Sequence, residues 1–340
     1  MKVTQKIFMT QLRYPFGISR GVDSEIPTVL LRLGDLGMGE GSPVRYKKQN
    51  AQEVLAAVTD LASQVTEANI TDIEGHDARA RAKYPHLSAA VAALNIALWD
   101  ARGRREKKPI HQIIKSGPPK LQTTYTVSLS DHETMQKRAE EAAHLPFLKV
   151  KLGRDEAFDL EAMRRIRKAA PKATLRVDAN AGWSFDTAKA IIPKLADMGV
   201  EYVEQPLAIG NLEELAKLNR VAPLPIFVDE DAQDVSSLKA LRGKCAGINI
   251  KLMKCGGLSE ALRMIEFAGD EGWMIMVGCM IETRLGLGAA AHLAGLIDYI
   301  DLDAHMLTTN DPFPPGSQSV YTADLPVADG PGVGLPLLDL

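Results

Sequence analysis

The sequence predicts an α/β protein: an eight-stranded TIM-type barrel with a smaller α+β domain before it. Three observations carry that expectation. From residue 125 onward, apolar β-like runs alternate with amphipathic helical segments, the pattern of parallel strands covered by helices. Five consecutive runs end in a charged residue, Lys151, Asp178, Glu204, Asp229 and Lys251, each one strand–helix unit beyond the last. Residues 1–118 follow other periods, first β-like and then helical.

Taken in order, VTQKIFMTQL and TVLLRLGDLGMGEG supply about three antiparallel strands with turns at Gly34 and Gly37. QEVLAAVTDLASQV and LSAAVAALNIALWDARGR carry apolar residues at helical spacing, the second with Ser88 placed as its cap. KSGPPK (115–120) is a Gly/Pro break and sets the boundary between a domain of residues 1–118 and a barrel of residues 119–309. YTVSLS (125–130) opens the barrel. FLKVK, ATLRVD, VEYVE, LPIFVD and INIK follow, and WMIMVG and YIDLD complete eight strands. DLEAMRRIRKAA and FDTAKAIIPKLADMG are examples of the helices between them. The Gly/Pro-rich tail, 310–340, is expected to pack back on the first domain.

Bulk properties exclude several classes. A formal charge of −3 gives no reason to expect nucleic acid or an anionic membrane as partner. The apolar stretches stop well short of the roughly 20 residues of a membrane span, and MKVTQKIFMTQLRYPF lacks the apolar core of a signal peptide. Cys245, Cys255 and Cys279 are odd in number and scattered, as in reduced thiols of a cytoplasmic protein. No P-loop, Ser-His-Asp order or GxGxxG after a strand is present.

The charged strand ends carry the chemistry. Lys149 and Lys151 are two apart on a strand and share a face; like charge and desolvation would lower a lysine pKa towards neutrality. A solvated edge strand with two surface lysines is the plain alternative. Asp178, Glu204 and Asp229 offer oxygen donors suited to Mg²⁺ or Mn²⁺, where a lone Asp would merely cap a helix or turn. Asn180 and Glu230 are candidates to support that pocket. Lys251 ends the sixth strand, across the ring from Lys151 on the second. A cation between two opposed bases suits proton exchange at a carbon next to a carboxylate. Lys254 reads as a loop lysine outside the chemistry. Asp301 and Asp303 form an i, i+2 pair able to hold a substrate ammonium, with a second metal site or an acidic turn as alternatives. His292 reads as a packing residue in its apolar helix, and His305 as a candidate pocket residue; the other histidines show no partner pattern.

These residues resemble the enolase superfamily, muconate-lactonising subgroup, and within it the dipeptide epimerases. The matching motifs are KVK (149–151), DAN (178–180), VEQP (203–206), DED (229–231), NIKLMKCGG (249–257), VGCMIET (277–283) and DLD (301–303). Across essentially the whole chain the resemblance implies a modified (β/α)₇β barrel with a capping domain built from both termini. It implies Lys151 and Lys251 as acid/base catalysts, Lys149 as the partner depressing Lys151, Asp178, Glu204 and Asp229 as Mg²⁺ ligands, and Asp301 and Asp303 as the ammonium site. It also implies lids at YPFGISRG (14–21) and GSPVRY (41–46), with Arg20 meeting a glutamate side chain or, as a structural residue, contacting an acidic group of the barrel.

The expected activity is Mg²⁺-dependent epimerisation at the C-terminal residue of a dipeptide, L-Ala-D/L-Glu from peptidoglycan foremost, by a cytoplasmic homo-oligomer. Dipeptides with hydrophobic or cationic side chains are the nearest alternative. A muconate cycloisomerase or o-succinylbenzoate synthase would use the same core, but the Asp-x-Asp pair would repel an anionic substrate. A catalytically silent binding barrel would have no use for both lysines.

Overall fold

The computed structural model describes residues 1–117, 122–313 and 330–340. The boundary expected at 118/119 and tail residues 314–329 lie outside the described residues.

The chain opens with an antiparallel sheet of β1 (Val3–Ile18), β2 (Gly21–Leu33) and β3 (Gly37–Gly41). Only one of the two expected glycine turns forms. Gly34, at φ +54°, turns the chain between β2 and β3, whereas Gly37 belongs to β3. Gly37, Gly39 and Gly41 face the helix Ser88–Glu106 so closely that a Cβ on Gly39 would stand 1.9 Å from the Ala93 carbonyl oxygen. Their bareness is therefore a packing requirement. That helix is buried on almost every side. Its Asn95 and Trp99 side chains donate to Ser259 Oγ, at 3.0 and 3.1 Å, on the barrel helix Leu258–Asp270. Ser88 is its first residue, not its cap; the Ser88 hydroxyl instead accepts from Gln49 Nε2.

The second sheet contains β4 (Tyr125–Val127), β5 (Phe147–Lys151), β6 (Thr174–Asp178), β7 (Val200–Glu204), β8 (Ile226–Val228), β9 (Gly247–Lys251), β10 (Met274–Gly278) and β11 (Tyr299–Asp301). They pair in sequence order, all parallel. Between β4 and β11 the described residues show no backbone ladder, and side chains cross the seam instead. Thr124 Oγ1 donates to the Ile300 carbonyl (3.1 Å), Thr123 Oγ1 accepts from the Leu302 amide (2.6 Å), and Asp303 Oδ2 accepts from the Thr126 amide (2.7 Å).

Inward side chains form layers. The lower layer is a floor of Tyr202, Phe227, Met276 and Tyr299 around Arg176. Tail residues 330–340 reach back to the first sheet and its helix: Asp100 Oδ1 accepts from the Val333 amide, and Arg32 donates to the Leu338 carbonyl. No helix among the described residues is long and apolar enough to cross a membrane.

Candidate active site

Parallel register brings the charged strand ends together. Lys151 pairs with Asp178 and Asp178 with Glu204 along β5, β6 and β7; Gly278 of β10 lies between Lys251 and Asp301 on its two neighbours. Asp229 follows β8 by one residue. Asp178, Glu204 and Asp229 each offer an oxygen within 4.8 Å of the others, and all three are buried. Lys151 Nζ lies 2.6 Å from Asp178 Oδ2, and Lys251 Nζ 2.7 Å from Asp229 Oδ2. These lysines stand on strands four places apart in an eight-strand order, on opposite sides of the triad.

Lys149 reaches Glu204 Oε2 and Asp301 Oδ2, both at 2.6 Å, with Asp178 Oδ2 at 3.4 Å. At Lys149 the expected downward pull is reversed. Burial lowers the Lys149 ammonium, but Asp301, Glu204 and Asp178 outweigh it and hold the pKa well above the ordinary lysine value. For Lys251, burial is likewise overcome, chiefly by Asp229, and the pKa rises. Lys149 thus joins the triad to Asp301.

The carboxylates divide. Burial opposes ionisation of Asp178 and Asp229, yet Lys151 and Lys149 hold the first below its usual range, and Lys251 and Lys254 hold the second there. Burial and the neighbouring Asp178 push Glu204 up to about 7. Burial and Asp301 push Asp303 up to about 6, while burial and Asp229 raise Glu230.

Within this cluster the buried atoms lacking a hydrogen-bond partner are all acceptors: Asn180 Oδ1, Glu204 Oε2, Glu230 Oε2, Asn249 Oδ1 and Asp301 Oδ1. Glu204 Oε2 lies close to the Lys149 ammonium but receives no well-aimed hydrogen bond. A surplus of buried oxygen acceptors around three carboxylates fits a small hard dication.

Local backbone geometry supports the rim. Asn180 (φ 44°), Ala181 (62°) and Gln205 (36°) occupy the left-handed region without being glycine, a strain that clusters at functional sites. Gln205 Oε1 accepts from the Asp229 amide (3.0 Å), and Asn249 Nδ2 donates to Glu204 Oε1 (2.8 Å).

Above the rim, the expected lid segment 14–21 is the end of the β1–β2 hairpin and not an open loop. Gly17 O accepts from the Leu129 amide, Ser19 Oγ donates to the Asn180 carbonyl (2.7 Å), and Arg20 reaches the same carbonyl (2.7 Å) and Glu230 Oε1 (2.5 Å). Arg20 is thus engaged by the barrel. Below it lies a cavity of about 350 Å³, lined by Lys151, Lys251, Asp229, Asp301 and Asp303, with Phe16, Ile18, Ile26 and Leu307 among its apolar walls.

Three expectations about single residues change. Lys254 is no loop lysine: it lies in the helix Leu252–Cys255, buried against Asp229. His305 is buried in the helix Ala304–Leu307 and is not among the cavity-lining residues. His111, given no partner, stacks on His292 with ring centroids 5.4 Å apart. Sequence reasoning also passed over Asn249, Gln205 and the cavity thiol Cys279; the i−2 spacing of Asn249 from Lys251 was the available signal.

Residues 2–115 match the mandelate racemase / muconate lactonizing enzyme N-terminal domain family, and residues 133–339 the enolase C-terminal domain-like family. A hydrophobic dipeptide epimerase of Flavobacteria bacterium (strain MS024-2A) is 32% identical over 324 residues, covering 92% of each chain. An L-Ala-D/L-Glu epimerase of Escherichia coli (strain K12) is 37% identical over 299 residues, covering 86% of this chain and 89% of its own. A dipeptide epimerase of Enterococcus faecalis V583, crystallised with Mg and the dipeptide L-Leu-L-Tyr, superimposes with a TM-score of 0.93 at 30% identity over 98% of each chain. With its charged rim, capping sheet and these relatives along nearly its full length, the chain belongs to the dipeptide epimerases of the enolase superfamily.

Proposed function

We propose that the protein inverts the α-carbon of the C-terminal residue of a dipeptide, with Lys151 and Lys251 as its acid/base pair. The observation that carries this reading is that the two amines flank one buried carboxylate triad from opposite sides. One lysine, as the free amine, takes the α-proton, and the other, as the ammonium, delivers a proton to the opposite face. Either lysine can take either role, so both epimers are substrates. Mg²⁺ held by Asp178, Glu204 and Asp229, with Mn²⁺ second, would draw off the negative charge that the substrate carboxylate gains as the proton leaves.

The substrate ammonium is assigned to Asp301 and Asp303. Asp301 Oδ1 has no partner, and one oxygen of each carboxylate is already committed, to Lys149 and to the Thr126 amide. Lys149 ties Asp301 of this pair to Glu204 of the triad. Asn180 and Glu230 hold the lid residue above the rim. L-Ala-D/L-Glu is the leading substrate: Arg20 is a cation at the cavity wall, and the Escherichia coli relative bears that activity in its name. A glutamate side chain would share Arg20 with Glu230. The apolar walls favour a second reading, a hydrophobic side chain, which the Flavobacteria relative's name also carries. The reading extends to a cytoplasmic homo-oligomer acting on peptidoglycan-derived dipeptides, and to a capping unit of residues 1–118 with 310–340 over a barrel of 119–309.

Incubation with L-Ala-L-Glu in D₂O tests the function. Deuterium should enter the glutamate α-carbon as the D epimer accumulates; label at no α-carbon of this or any other L-Ala-L-X dipeptide would refute the assignment. A panel of L-Ala-L-X dipeptides separates the two side-chain readings.

A further inference from the structure

Lys254 is among the largest fully buried side chains described, and it does not line the cavity. Its ammonium reaches Asp229 Oδ1, the Asp229 carbonyl at 2.5 Å and the Asn249 carbonyl at 2.8 Å. Three acceptors account for all three of its N–H bonds. It therefore has neither a free hydrogen nor access to substrate. Lys251 meets the other oxygen of the same carboxylate, Oδ2, from the cavity side.

We propose that Lys254 is a positioning residue that orients Asp229 for cation binding. This rests on Asp229 being a ligand of the metal. A carboxylate gripped at Oδ1 and through its own backbone carbonyl has lost its side-chain rotation, which leaves Oδ2 on the cavity side beside Lys251. The same ammonium holds the carbonyl of Asn249, whose side chain donates to Glu204 Oε1 (2.8 Å). Lys254 thus joins the strand ends that present two of the three carboxylates. The spacing explains how it gets there: β9 ends at Lys251, one helical turn follows, and Gly256, at φ +87°, ends that turn, so residue i+3 comes back under the rim. The chain just after the second lid segment is anchored at the same point, since Lys47 Nζ donates to the Lys254 carbonyl (3.1 Å).

Calorimetric titration of the purified, substrate-free protein with Mg²⁺ tests this. Outer-shell partners of metal ligands are worth about 10–100-fold in metal affinity, and Lys254→Met should lose that much while keeping its circular dichroism spectrum. Lys254→Gln, which keeps a donor for the carbonyls but no charge for Oδ1, serves if the Met variant does not fold. In an Asp229→Asn background the Lys254 substitution should cost less than about threefold more, because coupled residues are not additive. A folded Lys254 variant that binds Mg²⁺ within about threefold of the wild type would reduce Lys254 to a structural residue, even if its Tm falls. Full additivity with Asp229→Asn would do the same. Undiminished Mg²⁺ binding by Asp229→Asn alone, or none by the wild type, would overturn the metal reading along with it.

Discussion

The barrel interior holds two layers built by the same strands, and they treat buried charge in opposite ways. Arg176, Tyr202, Phe227 and Tyr299 of the floor stand two residues before Asp178, Glu204, Asp229 and Asp301 of the rim, so strand alternation points both sets inward. On the floor, Arg176 is satisfied: Glu201 at 2.7 Å, Thr124 Oγ1 at 2.5 Å, and the faces of Phe147, Tyr202 and Tyr299. The rim is left with unpartnered acceptors and carboxylates that repel one another. A single buried cation can be matched by a fold for stability alone. A rim that gathers several carboxylates and leaves their oxygens open sacrifices stability for ligand binding.

The sharpest break in this comparison is removal of a rim amine. Lys151→Ala and Lys251→Ala should each lower epimerisation by at least about 10²–10⁴-fold, the scale of general acid–base catalysis, with the fold and Mg²⁺ binding retained. α-Proton exchange measured by NMR should then persist for one epimer only, a different one in each variant. Exchange with both epimers in either variant would mean the two lysines do not face opposite sides.

Floor substitution should do the reverse. Arg176→Met removes a buried cation from its anion and three ring faces and should cost about 2–4 kcal/mol in denaturant unfolding, with Mg²⁺ affinity little changed. A large loss of Mg²⁺ affinity would join the two layers into one functional unit.

The rim should also betray itself through pH. Glu204 has an ordinary pKa of 4.5 when unfolded and about 7 when folded. Between those values the folded state holds the extra proton, so stability without added metal should fall as pH rises from about 4.5 to about 7, by on the order of 1–3 kcal/mol. Saturating Mg²⁺ and Glu204→Gln should each flatten the slope, leaving the part that Asp303, pushed up to about 6, and Glu282, pushed up to about 8, contribute with the same sign; thermal melts across this range read both. The smallest effect belongs to the lid. Arg20→Met should raise KM for L-Ala-L-Glu about 3–30-fold, the loss of one charged contact, and leave L-Ala-L-Leu nearly unaffected. Equal effects on both would make Arg20 a latch on Glu230 and not a side-chain receptor.

Much of the rim was legible because strand period and charge placement are local. An acidic or basic residue closing an apolar run stands out without any knowledge of the fold, and the five strand ends and the DLD pair were read that way. The lysine pKa directions were not, because they depend on the distances from Lys149 to Asp301 and Glu204, which lie 152 and 55 residues away in the chain. Lys254 is hidden in the sequence for a related reason: an i+3 lysine after a strand looks like loop until Gly256 turns the helix end under the rim.

The sequence alone determined which layer each strand residue enters, since alternation and burial act along a single strand. It also determined the oxygen-only donor set of the triad. Only the tertiary structure decided which charges touch. Coulomb energy depends on separation, and separation here is set by barrel register and closure. That is why Lys149 joins two carboxylate groups, why Lys254 grips Asp229 from behind, and why Arg20 rests on Glu230.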